Sequence, residues 1–101
     1  MKIVFTNTAL DDLDSIYYFR EQPTAKKLVK SILEEIKLLE LYPEAAPIDD
    51  LFIDQIKTIR SLVVAKGQYK VLFFIETDFV FISKIWDCRQ NTESYSINYE
   101  Q

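Results

Sequence analysis

The residues of this chain that could act on an anionic ligand are crowded into one stretch. Residues 54–89 carry six Lys/Arg against four Asp/Glu, a net of +2, in a chain of net charge −4. Within it Lys70 and Arg89 could each stabilise a phosphate, the arginine through two parallel hydrogen bonds and the lysine as a point charge. Tyr95, a little further on, could stack on a base or serve as an acid. RNA cleavage through a 2′-hydroxyl would also need a general base, an acid for the leaving group and charge stabilisation on the phosphorane. The chain has no histidine, so the base would have to be Asp87, Glu93 or a deprotonated lysine. The same absence excludes a His-based triad and any zinc site that uses His. The acidic balance also counts against a general nucleic-acid binder, whose affinity comes largely from neutralising phosphates.

Each of these residues has a plainer reading. Arg60 and Arg89 are the kind of residue that holds a carboxylate or a loop carbonyl. Lys70 and Lys84 on a strand could be solvated or engaged in weak ion pairs. Trp86 reads as core, and the lone Cys88 has no acid–base partner in sequence, so it reads as an inert side chain. Asp11, Asp12 and Asp14 cluster at a helix start, where a solvated face favoured by the helix dipole explains them better than a metal does.

The elements that must position these groups are legible in the pattern of apolar residues. Lys2–Phe5 is a short strand candidate. Thr8-Ala-Leu-Asp11 has the look of an N-terminal cap, followed by Ala9, Leu13, Ile16 and Tyr17 as one apolar stripe. Glu21-Gln22-Pro23 interrupts it. A second helix is expected from Thr24 to Tyr42, with Ala25, Leu28, Val29, Ile32, Ile36 and Leu39 inward and Pro43 as its stop. The two helices should form an antiparallel hairpin. After a loop come three β-rich runs, Gln55–Val64, Gln68–Glu76 and Phe79–Asp87, separated by tight breaks as in an antiparallel meander. The expected core joins Leu13, Ile16, Leu28, Ile32 and Ile36 to Val71 and Phe73. Leu72 and Phe74 alternate onto the other sheet face, which should therefore be covered by the C-terminal tail, a second copy or a partner.

The 101 residues read as a single α+β domain: a strand, a helical hairpin, then three antiparallel strands with the helices on one face of a small antiparallel sheet. A single cysteine fits a reducing cytoplasm. No secretory leader is visible after Met1, and no apolar run nears the ~20 residues that span a bilayer.

Several motifs in order resemble the RelE/ParE toxin superfamily of bacterial toxin–antitoxin pairs. They are Val4-Phe5-Thr6 with Ala9 and Asp12-Leu13, then Leu39 to Pro43. They continue as Arg60-Ser-Leu-Val-Val64, Tyr69-Lys70-Val-Leu-Phe73, and Asp87-Cys-Arg89-Gln-Asn91. The resemblance covers nearly the whole chain. It implies a toxin held silent by a cognate antitoxin, working without metal or cofactor and with no membrane partner. Some members of the superfamily cleave mRNA on the ribosome; others poison DNA gyrase.

In the ribosome-dependent nucleases, basic residues at the positions of Lys70 and Arg89 and a tyrosine at the spacing of Tyr95 contribute to the site. Here Ser61 and Val63 replace basic residues often present in active nucleases, and Arg60 to Val64 with Tyr69 leans towards ParE-like members. The expected function is thus inhibition by protein–protein contact, with gyrase as the target and Arg60, Leu72, Phe74 and Arg89 as contact residues. The alternatives are a metal-independent mRNA endonuclease using Lys70, Arg89 and Tyr95, and a non-toxic binding module of the same fold. A homodimer is compatible with either.

Overall fold

The computed structural model describes residues 1–18, 22–52 and 56–89. The first strand, β1 (Lys2–Phe5), leads into α1 (Asn7–Tyr18) and α2 (Gln22–Lys37), and then into β2 (Arg60–Val64), β3 (Tyr69–Glu76) and β4 (Phe79–Asp87). The sheet order is β1-β4-β3-β2. The meander β2-β3-β4 is antiparallel as expected, but β1 joins β4 in parallel, so the sheet is mixed and not purely antiparallel. The helical hairpin carries the chain back before β2 begins, so β2 and β4 run in the direction of β1. The first strand therefore completes the sheet from the far side.

Both helices end differently from the sequence reading. Thr6, not Thr8, caps α1: its Oγ1 accepts the Ala9 N–H at 3.2 Å. The same hydroxyl donates to the carbonyls of Ile82 (2.9 Å) and Ser83 (3.1 Å), tying the cap to β4. Helix α2 stops at Lys37 and tightens into a 3₁₀ turn, Leu38–Glu40, where Leu41 N–H and Tyr42 N–H both reach the Leu38 carbonyl. Such tightening satisfies terminal carbonyls before Pro43, which has no N–H to offer. Strand β2 begins at Arg60 and not at Gln55. The residue before it, Ile59, gives its carbonyl to the Asp49 N–H at 2.8 Å and so belongs to the loop's own pairing.

The core lies between helices and sheet. Ile16, Ile32, Ile36, Val71 and Phe73 are buried there with Val80, Ile82 and Ile85, while Leu13 and Leu28 stand half-buried at its margin. On the other face Leu72 and Phe74 are buried too, at 0% and 1% exposure, packed with Ile59 and Phe81. Phe74 and Phe81 stack at 5.2 Å between centroids, and Lys57 Nζ stands 5.3 Å over the Phe74 ring. Leu72 and Phe74 are thus covered, as expected of that face, and Ile59 and Phe81 of the chain itself supply part of the cover.

Candidate functional site

The cations of β2 to β4, with Arg89 just past the end of β4, are the natural starting point, and each one is engaged. Lys70, on the face away from the helices and in register with Trp86, lies 3.3 Å from Asp49 Oδ2. Lys84 Nζ reaches both oxygens of Asp12, at 3.1 and 3.4 Å, and stands 5.6 Å over the Trp86 ring. Arg89 forms a two-pronged pair with Asp87 at 2.9 and 2.7 Å. Arg60 Nη1 donates to the carbonyls of Ala46 (2.7 Å) and Glu44 (3.2 Å).

The geometry separates the residues that the sequence reading grouped. Arg60 pairs with Phe73, midway along β3, whereas Lys70 and Arg89 lie towards the end where β3 begins and β4 finishes. Lys70 and its partner Asp49 belong to the face away from the helices. Asp87 pairs with Tyr69, which is buried in the helix-side core, so the anchors of Lys70 and Arg89 stand on opposite faces. Tyr95 and Glu93 lie outside the described residues. Of the possible bases, Asp87 is committed to Arg89.

Electrostatics agrees. Asp87 holds the Arg89 guanidinium more firmly protonated than usual, through hydrogen bonding first and Coulomb attraction second. Burial pushes the Cys88 thiol upward, partly offset by Lys70, so the thiol is a poor nucleophile near neutrality. Asp12 is also raised, because burial outweighs its bonds to the Ile85 N–H and Lys84. No group of three or more metal-ligating side chains occurs among the described residues.

A different site emerges on the helices. A groove of about 510 Å³ runs between α1 and α2, lined by Tyr17, Lys26, Val29, Lys30, Leu33, Glu34 and Lys37. Its lining combines the apolar surface of Tyr17, Val29 and Leu33 with three lysines and one glutamate. Leu33 is 40% exposed, and it was the available signal: an apolar residue that breaks the polar side of the α2 stripe beside Ile32. A second cavity of about 490 Å³ adjoins it, sharing Leu33 and Lys37 and bounded by Met1, Lys2, Ile3, Phe5, Ile36 and Glu40.

Residues 3–92 match the family described as ParE toxin of type II toxin–antitoxin system, parDE. The chain belongs to that family. Nine chains of known structure also match. One is from the chromosomal ParDE toxin–antitoxin system of P. aeruginosa, at 23% identity and a TM-score of 0.70, covering 86% of this chain and 95% of that one. At that identity the likeness speaks for the fold, which is the strand, helical hairpin and meander described above. No curated protein matches the chain. Family membership makes this ParE-family protein the toxin of a type II pair, with an antitoxin as its partner. No helix among the described residues is long and apolar enough to cross a membrane.

Proposed function

We propose that this toxin inhibits its target by binding and not by cleaving RNA, with DNA gyrase in the cytoplasm as that target. The observation that carries the reading is the pairing of the cations on β3 and β4 and just past the end of β4. Lys70, Lys84 and Arg89 are each held by a carboxylate of the same chain at 2.7 to 3.4 Å. A cation already neutralised contributes little to a developing phosphorane, and removing a carboxylate partner costs the free energy of the pair. The lack of histidine and the commitment of Asp87 to Arg89 support the reading, because they remove two candidates for the general base.

The antitoxin's docking site is read from the helices. The groove between α1 and α2 offers Tyr17, Val29 and Leu33 to the apolar face of a helix, and Lys26, Lys30 and Lys37 to acidic side chains. On this reading antitoxin capture falls to the hairpin, and the burial of Leu72 and Phe74 supports it by leaving them to the sheet.

The test uses purified toxin against two targets in parallel. Inhibited supercoiling with accumulation of cleaved DNA by gyrase, and intact mRNA on translating ribosomes, is the expected pair of results. Codon-spaced cleavage of ribosome-bound mRNA with gyrase unaffected would overturn the reading in favour of the nuclease.

A further inference from the structure

Residues 54–89 hold six cations, and five of them have partners within the chain. Lys57 pairs with Glu76, Lys70 with Asp49, Lys84 with Asp12 and Arg89 with Asp87. Arg60 holds the carbonyls of Glu44 and Ala46. Lys66 is the sixth. It is exposed, and no described residue pairs with its ammonium group.

The backbone under Lys66 is strained. Ala65, Lys66 and Gly67 turn the chain from β2 into β3 with φ of +53°, +55° and +89°. Glycine enters that left-handed region freely and asparagine readily, but alanine and lysine resist it. The surrounding structure enforces the turn from three sides. The Ala65 N–H donates to Glu35 Oε2 of α2 at 2.9 Å, and the Gln68 N–H closes on the Ala65 carbonyl at 3.1 Å. The Cys88 N–H, just past β4, holds the Gln68 carbonyl at 3.0 Å. The tip itself stands clear, since a Cβ added at Gly67 would meet no atom within 4 Å. Packing asks for no lysine there, because Ala65 alone of the three is buried. Strain held in place around an exposed polar group points to function.

What adjoins the tip narrows the partner. The bond to Cys88 sets the neighbouring Arg89 beside the turn, with its side chain still 65% exposed. Val63, three residues before Lys66, is 56% exposed on the face away from the helices. A free ammonium group between a guanidinium and an exposed valine fits a protein surface that carries a carboxylate beside apolar side chains. A DNA backbone fits worse, because the chain has a net charge of −4 and the other cations of this stretch are already engaged.

We propose that Lys66 is a target-contact residue: the strained turn presents its ammonium group to a carboxylate on the inhibited protein. This rests on the reading of the toxin as an inhibitor that works by binding, and it adds the residue and the chemistry of the contact. The turn lies outside the lining of the groove between α1 and α2, so target and antitoxin engage different surfaces.

The test compares Lys66→Asn, Lys66→Gly and Lys66→Arg with the wild type in the full chain. Asn and Gly relieve the strain and remove the charge, whereas Arg keeps both. The Asn and Gly variants should unfold at or above the wild-type midpoint. They should bind the protein encoded by the neighbouring reading frame with unchanged affinity. Without that antitoxin they should no longer arrest growth, and their affinity for DNA-free gyrase should fall about ten- to a hundredfold, as expected for one charge-assisted hydrogen bond. Lys66→Arg should retain both activities. Asn and Gly variants as toxic as the wild type overturn the proposal. So does a lowered midpoint in both, which marks a structural role, or a loss confined to antitoxin binding. Wild-type binding that requires DNA, with the Asn variant losing affinity for DNA alone, would put a phosphate in place of the carboxylate and overturn the partner. Growth arrest that depends on Lys66 while gyrase is unaffected overturns gyrase as the target and leaves the contact standing. A wild type that does not arrest growth overturns both.

Discussion

The Asp12 carboxylate in α1 accepts the backbone N–H of Ile85 in β4 at 2.9 Å, across 73 positions of sequence. Strand β1 pairs with β4 only as far as Ile82, so the next stretch of that edge would be bare. Thr6 and Asp12 complete it with side chains: Thr6 takes the carbonyls of Ile82 and Ser83, and Asp12 takes the Ile85 N–H and Lys84. The β-bulge at this point, where Leu72 faces Lys84 and Phe73 faces Ile82, makes Ser83 the extra residue.

Asp12→Ala should lower the unfolding free energy by ~2–3 kcal/mol, because it strips a charged acceptor from a partly buried N–H and leaves Lys84 without its carboxylate. Denaturant unfolding measures this, and an unchanged midpoint would show that α1 does not depend on the contact.

The pH dependence at Asp12 has a defined sign. Its folded-state value is raised above the ordinary 3.8, so between 3.8 and the raised value the folded chain binds more protons than the unfolded one. Stability from this group is therefore greatest at low pH and declines as pH rises through that window. Asp12→Asn removes the titration, so its deficit relative to the wild type should narrow as pH rises across the window. A deficit that widens instead would mean that attraction to Lys84 outweighs burial.

The core was legible from the helix stripes and the middle strand, since Ile32, Ile36, Val71 and Phe73 fall at periodic positions and are buried. Truncating Ile32 or Phe73 to Ala should cost ~2–5 kcal/mol through the cavity left behind. A loss below ~1 kcal/mol at either site, measured by thermal and denaturant unfolding, would show that the packing there relaxes freely.

The candidate site was less legible, for physical reasons. Spacing along a strand shows that Lys70 can stand beside Trp86. It cannot show that a loop residue twenty-one positions away, Asp49, will neutralise that lysine. Asp12 looked like one of three solvated carboxylates because a helix start explains all of them locally, while its partner lies in the last strand. Arg60 kept the plainer of its two readings, holding the loop carbonyls of Glu44 and Ala46. The groove escaped notice because Leu33 and Lys37 acquire meaning only when α1 and the β1 edge stand beside them.

Groove docking predicts a separation of functions. Leu33→Asp, at a 40% exposed position, should leave the fold intact and weaken antitoxin binding by at least about tenfold, the equivalent of ~1.4 kcal/mol of lost apolar contact and added repulsion. Target inhibition should persist, so cells carrying the variant should no longer be rescued by the antitoxin. Titration calorimetry and a growth assay with both genes induced check the two halves.

Arg89 tests the binding reading most directly. Its side chain is 65% exposed although paired with Asp87, and a pair in that setting adds little to stability. Arg89→Ala should therefore fold with an unaltered midpoint and bind antitoxin normally, since the groove lies on the helices. If Arg89 contacts gyrase, supercoiling inhibition should fall while mRNA on ribosomes stays intact in both wild type and variant. A nuclease would instead lose roughly a hundred- to a thousandfold in cleavage rate with the phosphate contact. A purely structural Arg89 would take stability and antitoxin affinity down together. Asp87→Asn separates these cases further, because it removes the carboxylate charge that holds the guanidinium without altering Arg89 itself. A contact residue should then bind gyrase at least as tightly, whereas a structural one should lose its anchor and its effect.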